Sequence, residues 1–430
     1  MAQKDRNTGQ AAARPEKGGA GGRAVQDPAD APFSIKSLIW TVYAPSFLLA
    51  LGQSILSPVL PLFAKDEMGA SIAMVGVAVA ARELGTMVFD VPAGLLTARF
   101  GTKNSMLIGV AIFAVSAVGA ALSFNLGFLI LMRVVSGLGI AMWTISRHAF
   151  IARNVPVRNR GRALSTFGGL GRIATILGPL LGGLLGQVFG LQAPFYLQAG
   201  VVIATFLFVL FTLEAAMPGG AGRSRPHAQL AQTIVEYRRE FATAGLAAVA
   251  LQLLRSSRQI IIPLWGKEIG LDVGQIGLVF SLSSALDAAM FIPAGYVMDR
   301  WGRRWTGGPS MVILAASLFL LPLTHSFWSL VAVGLVAGLG NGLSSGLVLT
   351  MGADIAPRDR AGEFLGVWRL ITDSGGAAGP LVVGVIAKAL ALSTASLVTG
   401  GIGVVGAAVM IFLVQETTES QARHAPPKQT

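Results

Sequence analysis

The sequence predicts an all-α membrane protein of twelve transmembrane helices arranged as two pseudo-symmetric six-helix bundles, and three observations predict it. Of 430 residues, 53% are hydrophobic and 13% charged, whereas a soluble globular domain carries about 25% charge. A second observation is an internal repeat at an offset of 201 residues: Pro92-Ala93-Gly94 with Arg99 and Gly101 returns as Pro293-Ala294-Gly295 with Arg300 and Gly302. Further on, Gly137-Leu138-Gly139 returns as Gly338-Leu339-Gly340 and Gly178-Pro179-Leu180 as Gly379-Pro380-Leu381. Upstream, Pro61 to Lys65 matches Pro263 to Lys267 at an offset of 202. The third is the distribution of basic residues between the two sides of the predicted spans.

The spans follow from apolar runs of about 20 residues, the length that crosses a bilayer as a helix. The first is expected at 37–63, after the basic tail that ends at Lys36. Spans at 72–97 and 104–124 flank a short charged hairpin holding Arg99 and Lys103. Spans at 127–151 and 162–189 flank the basic stretch from Arg147 to Arg162, and a sixth lies at 194–214. A polar central segment precedes a seventh span at 242–264, and a second charged hairpin separates 273–298 from 307–324. The last three are expected at 327–351, 363–388 and 392–414, with Arg358 and Arg360 before the eleventh.

An even count puts both termini and the central segment on one side. That side carries 24 Lys and Arg, the other only Lys65, Lys267 and Lys388, and six arginines fall within spans. Such a bias is the positive-inside pattern of an integral membrane protein, and the expected location is a plasma membrane, a bacterial inner membrane, with both termini cytoplasmic. It also accounts for the net charge of +12 without nucleic acid as a partner. The expected organisation is a disordered cytoplasmic tail at 1–35, a six-helix bundle at 36–215, a cytoplasmic linker at 216–240, a second bundle at 241–415 and a tail at 416–430. The first tail is rich in Ala, Gly, Pro and Gln and has no apolar run, so it does not read as a signal peptide.

The second hairpin reads Gly295-Tyr-Val-Met-Asp299-Arg300-Trp-Gly302-Arg303-Arg304. At this loop of a six-plus-six repeat it resembles the signature of the major facilitator superfamily. The resemblance implies that the hairpins gate the cytoplasmic side, through Gly94, Arg99, Gly101 and Lys103 in the first half and Gly295, Asp299, Arg300, Gly302 and Arg303 in the second. Their glycines are expected to allow tight turns between packed helices. In the first hairpin Ala98 stands in place of the acid and Thr102 in place of an arginine, which implies a weaker lock there. Arg133 four residues before Gly137 is similar to a further superfamily pattern. Gly178-Pro179 and Gly379-Pro380 resemble the motif of exporters in the twelve-span drug:proton antiporter branch, although Ala174 stands where that motif prefers glycine.

Ten ionisable residues lie within spans: Arg82, Glu83, Asp90, Arg133, Arg172, Arg255, Arg258, Asp287, Arg369 and Asp373. Each costs about 2.5–3.5 kcal/mol to insert, so each needs a partner or a wet cavity. Arg172 and Asp287 lie at matching depths of roughly 18 Å from the basic edge of their spans. Asp90 and Arg369 match at about 13–14 Å. The superfamily fold would set spans five and eight, and two and eleven, side by side, so Arg172–Asp287 and Asp90–Arg369 are expected interdomain pairs. Glu83 is expected to pair with Arg133, and a carboxylate coupled to a buried arginine can exchange a proton. The proton-coupling candidates are Glu83, Asp90, Asp287 and Asp373. The resemblance further implies a central cavity lined by spans one, four, seven and ten, with Gln53, Ser54, Arg133, Trp143, Arg255, Arg258 and Asn341 as substrate candidates. Six cations against four acids suggest an anionic or zwitterionic substrate.

The expected function is secondary active transport: proton-coupled export of a small organic molecule by alternating access. Proton symport of an organic anion inward is the alternative, and a non-transporting receptor a remote one. The expected partners are the substrate, protons and the lipid bilayer, and the protein is expected to be a monomer. Neither an enzyme nor a cofactor or metal is expected, since cysteine is absent and no nucleotide loop or metal-ligand spacing occurs.

Overall fold

In the computed structural model, residues 39–155, 157–213, 230–357 and 360–416 are described, and all regular structure among them is helical. The expected tails and much of the linker lie outside the described residues. Among the described residues nine helices are long and apolar enough to cross a membrane, and Ile39–Ile55 with Leu60–Glu67, bent by 41°, forms a tenth span, α1. Ile72–Ala121 is two spans, since Gly101 interrupts it at φ 81° and ψ 163°; these are α2 (72–100) and α3 (102–121). Then follow α4 (Leu126–Asn154), α5 (Val157–Phe189) and α6 (Ala193–Leu213). A linker helix, Leu230–Glu236, precedes α7 (241–268). Helix α7 carries Arg255, Arg258 and Lys267 along its length. The set closes with α8 (Val273–Trp301), α9 (Arg303–Leu320), α10 (Phe327–Ile355), α11 (Ala361–Ala389) and α12 (Leu392–Leu413). All twelve spans are present.

The packing repeats with the sequence. Helix α1 rests on α5 and α6 as α7 rests on α11 and α12, and α2 crosses α4 as α8 crosses α10. Across the halves, α2 packs on α11 and α8 on α5. In lipid the drive for such contacts is close van der Waals approach, which small residues permit. At the α5–α8 contact a Cβ on Gly183 would stand 2.8 Å from the Val273 carbonyl oxygen and 2.9 Å from Gly277 Cα. At α2–α11 a Cβ on Gly384 would stand 3.0 Å from the Ile72 carbonyl oxygen. Both contacts lie at the end where Asp66 Oδ2 meets Lys267 Nζ at 3.6 Å, so the halves close there. Toward the hairpins they part, and a Cβ on Gly168, Gly171, Gly366 or Gly376 would meet nothing within 4 Å.

Two helices expected to be continuous are broken. In α1 the helix lapses at 56–59, where Pro58 and Pro61 remove backbone donors. In α10 it lapses at 344–346, where Gly346 takes φ +79°. The residue equivalent to Gly346 is Ile145, inside an unbroken α4. The breaks therefore fall on non-equivalent helices. Of the four hairpin glycines expected to allow the turns, Gly101 and Gly302 make them at positive φ, whereas Gly94 and Gly295 are helical and face open space.

Several helix starts are capped by side chains. Asn125 Oδ1 accepts from the Phe128 amide at 2.8 Å, and Asp272 forms a reciprocal capping box with Gln275 at the start of α8. Asp272→Ala is expected to cost about 1 kcal/mol, read as a lower midpoint of thermal unfolding in detergent.

Candidate functional site

A cavity of about 270 Å³ opens between α1, α2, α4, α5 and α7. Gln53, Ser54 and Ser57 reach it from α1, Arg82 from α2, Arg133 from α4, Thr175 from α5 and Gln259 from α7. Arg133 is positioned by the glycine one turn further on. A Cβ on Gly137 would stand 2.5 Å from the Thr86 amide nitrogen, so its absence lets α4 lie against α2. Residues four apart share a helix face, and Arg133 is thereby brought beside the Arg82 turn.

The expected Glu83–Arg133 pair is not made. Glu83 Oε1 accepts from its own neighbour, Arg82, at 2.5 Å from Nη2 and 3.1 Å from Nε. Arg82 Nη1 also donates to Gln53 Oε1 at 3.3 Å. The long guanidinium folds back along α2 and reaches the carboxylate before the partner helix does. Arg133 is 6% exposed, and its Nε is buried with no hydrogen-bond partner. Arg82 was recognised as a buried charge in the sequence but not as a site residue, because adjacent residues diverge by about 100° on a helix and only the side-chain conformer brings them together.

A second constellation joins the halves. Arg172 Nη1 on α5 donates to Asp287 Oδ1 on α8 at 2.9 Å, and its guanidinium lies over the Phe291 ring at 4.4 Å. Asp287 also accepts from Asn341 Nδ2 at 2.9 Å and from Ser345 Oγ at 3.4 Å, both on α10. Asn341 is therefore bound to the carboxylate and does not line the cavity. The α10 break itself is held by Arg255, whose Nη2 donates at 2.7 Å to both the carbonyl and the hydroxyl of Ser344, while Nη1 donates to Gln252 at 3.1 Å. An unwound carbonyl in a membrane helix needs such a donor. Arg255 was expected in the cavity but does not line it; Nη2 is directed to α10 and Nη1 to Gln252 of its own helix. Arg258 does not line the cavity, and its Nε is buried without a partner. Trp143 is also outside the lining, 4% exposed with a buried, unpartnered Nε1, and its backbone packs on Gly109 of α3.

The other interface between the halves carries Arg369 Nη2 at 3.1 Å from Asp90 Oδ2, with Asp373 Oδ2 at 3.9 Å from Arg369 Nε. Asp90 Oδ1 is buried without a partner. Arg147, counted among the basic residues of a loop, belongs to α4 and is 7% exposed. Its guanidinium lies 3.9 Å over the Phe167 ring, and Nη1 is 3.5 Å from Ser46 Oγ.

The hairpins differ as their sequences do. Arg303 Nε donates to Asp354 Oδ2 at 2.8 Å, and the Arg303 amide donates to Glu416 at 2.8 Å. Arg304 donates to the Ile411 carbonyl. Asp299, expected to be the charged element, is 82% exposed and only 3.9 Å from Arg303, and Arg300 donates to the Tyr296 hydroxyl. In the first hairpin Arg99 lies over the Phe100 ring at 5.8 Å, and neither it nor Lys103 pairs with an acid among the described residues. Thr102 and Arg153 occupy the positions of Arg303 and Asp354, which removes the bridge.

Comparison with known proteins identifies the family and the fold. The family model of the Major Facilitator Superfamily matches residues 44–260 and again 244–430. The chain is 21% identical over 83% of its length to an uncharacterised MFS-type transporter of Methanocaldococcus jannaschii, covering 92% of that protein. It is 23% identical over 87% of its length to the multidrug resistance protein MdtG of Citrobacter koseri, covering 94% of it. With the quinolone resistance protein NorA of Staphylococcus aureus it shares 24% identity over 81% of this chain and 89% of that one. Among solved structures, a bacterial homologue of the human lysosomal transporter Spinster, inward-facing and unoccupied, superposes with a TM-score of 0.74 over 91% of this chain and 98% of that one at 15% identity. A D-xylose–proton symporter gives 0.71 over 89% and 98% at 16% identity.

Proposed function

The chain belongs to the major facilitator superfamily of membrane transporters, and on that premise we propose that it exports a small organic molecule in exchange for protons by alternating access. Its relatives and fold are those of transporters, not enzymes. The observation that carries the coupling is Asp287. One carboxylate accepts from Arg172 of the other half and from two side chains of the broken helix α10. Protonation removes the charge that holds all three donors, and α5 is then free to move relative to α8. Asp90 with Arg369 is the charge contact on the opposite interface, with Asp373 beside it. Glu83 is the acid nearest the cavity and the second proton-coupling residue.

Export is favoured by the relatives named for drug resistance and by the Gly178-Pro179 motif. The basic bias places both termini and the two hairpins in the cytoplasm. With that orientation the closed end faces out and the cavity opens inward, where an exporter collects its substrate. The gate on the inner side rests on Arg303 with Asp354 and Glu416 in the second half. The bundles run from 36–215 and 241–415, and the unit works as a monomer.

The test is proton movement in proteoliposomes that enclose a pH-sensitive dye. Adding organic compounds under an imposed proton gradient is expected to change the internal pH for at least one chemical class, in the antiport direction. Flux in the symport direction would replace export by uptake. No flux with anionic, cationic or neutral compounds would overturn coupled transport.

A further inference from the structure

Two prolines at equivalent positions of the repeat deprive two main-chain carbonyls of their helix donors, and both carbonyls belong to residues that line the cavity. Pro61 and Pro263 match at the offset of 202. Proline has no amide hydrogen, so the carbonyl four residues before it loses its helix bond. Those carbonyls are Ser57 on α1 and Gln259 on α7, which match at the same offset and face one cavity. In the α1 break the Ser57 amide donates to Ser54 at 3.1 Å and the Leu60 amide to Leu56 at 2.9 Å, whereas the Ser57 carbonyl accepts nothing among the described residues. A carbonyl freed at membrane depth is tolerated where it lines a cavity or meets a donor. The hydroxyls of the lining add acceptors, not donors. Ser54 Oγ donates to the Ala50 carbonyl and Thr175 Oγ1 to the Arg172 carbonyl, both at 2.8 Å, so each keeps only oxygen lone pairs for a ligand. The charged part of the wall is already engaged: Glu83 is hydrogen-bonded to Arg82 and attracts Arg133 from farther off. Two cations against one acid repel a metal ion or an ammonium group.

We propose that Ser57 and Gln259 bind the substrate from the two halves at once, and that the substrate is a compact, uncharged molecule carrying at least two O–H or N–H donors. The inference rests on the transport reading above and names its substrate class, in place of the anionic class that the count of intramembrane charges suggested. Acceptors in the wall call for donors on the ligand, and the positive charge beside them selects uncharged donors over ammonium. The Ser57 hydroxyl and the Gln259 side-chain amide make no hydrogen bond among the described residues, so they too are open to the ligand. Leu56, Leu60 and Val79 supply apolar wall for the body of the molecule. A volume of about 270 Å³ lies at the small end of ligand sites, which run from about 300 Å³ upward. A ligand held by equivalent residues of both bundles also ties occupancy to the relative position of the halves, which is what alternating access needs.

The experiment measures binding of phenyl-substituted vicinal diols, from phenylethanediol to phenylbutanediol, to the full chain in detergent by equilibrium dialysis. Their dimethyl ethers serve as matches without donors, and phenylalkyl carboxylates and ammonium ions as charged matches. At least one diol is expected to bind about tenfold or more tightly than its ether, because the ether leaves the acceptors of the wall unpaired. Gln259→Leu should weaken the diol about tenfold and leave the ether within about twofold. Pro263→Ala lies outside the lining and supplies an amide to the Gln259 carbonyl; it should weaken the diol at least about threefold and again spare the ether. Retained ether binding shows that each variant is folded. Equal affinity for diol and ether, an unchanged diol affinity in either variant, equal loss of both ligands, tighter binding of a charged match, or no binding of any diol overturns the proposal. Flux of a charged compound in the liposome assay, with no diol bound, would refute this substrate class while transport stands. Absence of flux with every compound would refute transport itself, whatever binds in detergent.

Discussion

Asp287→Asn is expected to abolish gradient-driven transport while leaving exchange of substrate across the membrane in the absence of a proton gradient. Asparagine keeps the size and one acceptor of the side chain, so Asn341 and Ser345 retain a neighbour, but no proton can be taken up or released at that position. Arg172 loses its counter-charge at 2.9 Å. Exposures of 20% and 17% leave the pair partly solvated, so the loss of stability should be about 2 kcal/mol, the lower end for a charge pair deprived of one member. The charge-reversed double variant, Arg172→Asp with Asp287→Arg, should recover part of that stability. Its double-mutant coupling should be at least about 1 kcal/mol. The recovery should not extend to driven transport, because the new arrangement places the acid on α5, away from Asn341 and Ser345 of α10. Additive losses in thermal unfolding, or driven transport at the parental rate in Asp287→Asn, would remove this residue from the coupling.

Gly183→Val is expected to prevent the closed end from closing. A Cβ there would stand 2.8 Å from the Val273 carbonyl oxygen and 2.9 Å from Gly277 Cα. Both are backbone atoms, so no side-chain rotation relieves the overlap. Overpacking of this kind costs about 1–3 kcal/mol, enough to lower the population closed at that end by roughly tenfold or more. The protein has no cysteine, so spin labels can be placed on introduced cysteines without background. Labels at the exposed residues Glu67 and Glu268 should give a longer distance distribution in Gly183→Val than in the parent. An unchanged distribution would mean that the α5–α8 contact does not set the closed state. Transport should fall in parallel, since a carrier that cannot close one end completes no cycle.

The fold was legible for reasons that operate at the level of the sequence. Bilayer thickness sets the length of an apolar run, and loop charge sets orientation, so span count and repeat were readable from composition and order alone. Even α7, with its two intramembrane arginines, was found, because its apolar run at 242–264 is long enough to span. Depth was legible too: counting residues from a charged edge set Arg172 level with Asp287 and Asp90 level with Arg369, and those side chains meet. The errors share one physical origin. Counting gives the height of a residue in the membrane but not the direction its side chain takes. Glu83 and Arg133 have matching heights, yet the acid is taken by Arg82; Arg255 has the height of a cavity residue, yet its donors go to Ser344.

What the sequence by itself determined was the architecture and the inventory: twelve helices, two related halves, an oriented bias of charge and ten ionisable groups that had to be accommodated in hydrocarbon. The tertiary structure decided how those groups are shared out. It broke α1 and α10 at non-equivalent places, assigned Arg255 to one of the breaks and gave the Glu83 carboxylate to Arg82, leaving Arg133 Nε without a hydrogen bond. Pairing in a low-dielectric interior depends on distances of a few ångströms and on side-chain conformers. Those are properties of helices packed together, and no spacing along one chain contains them.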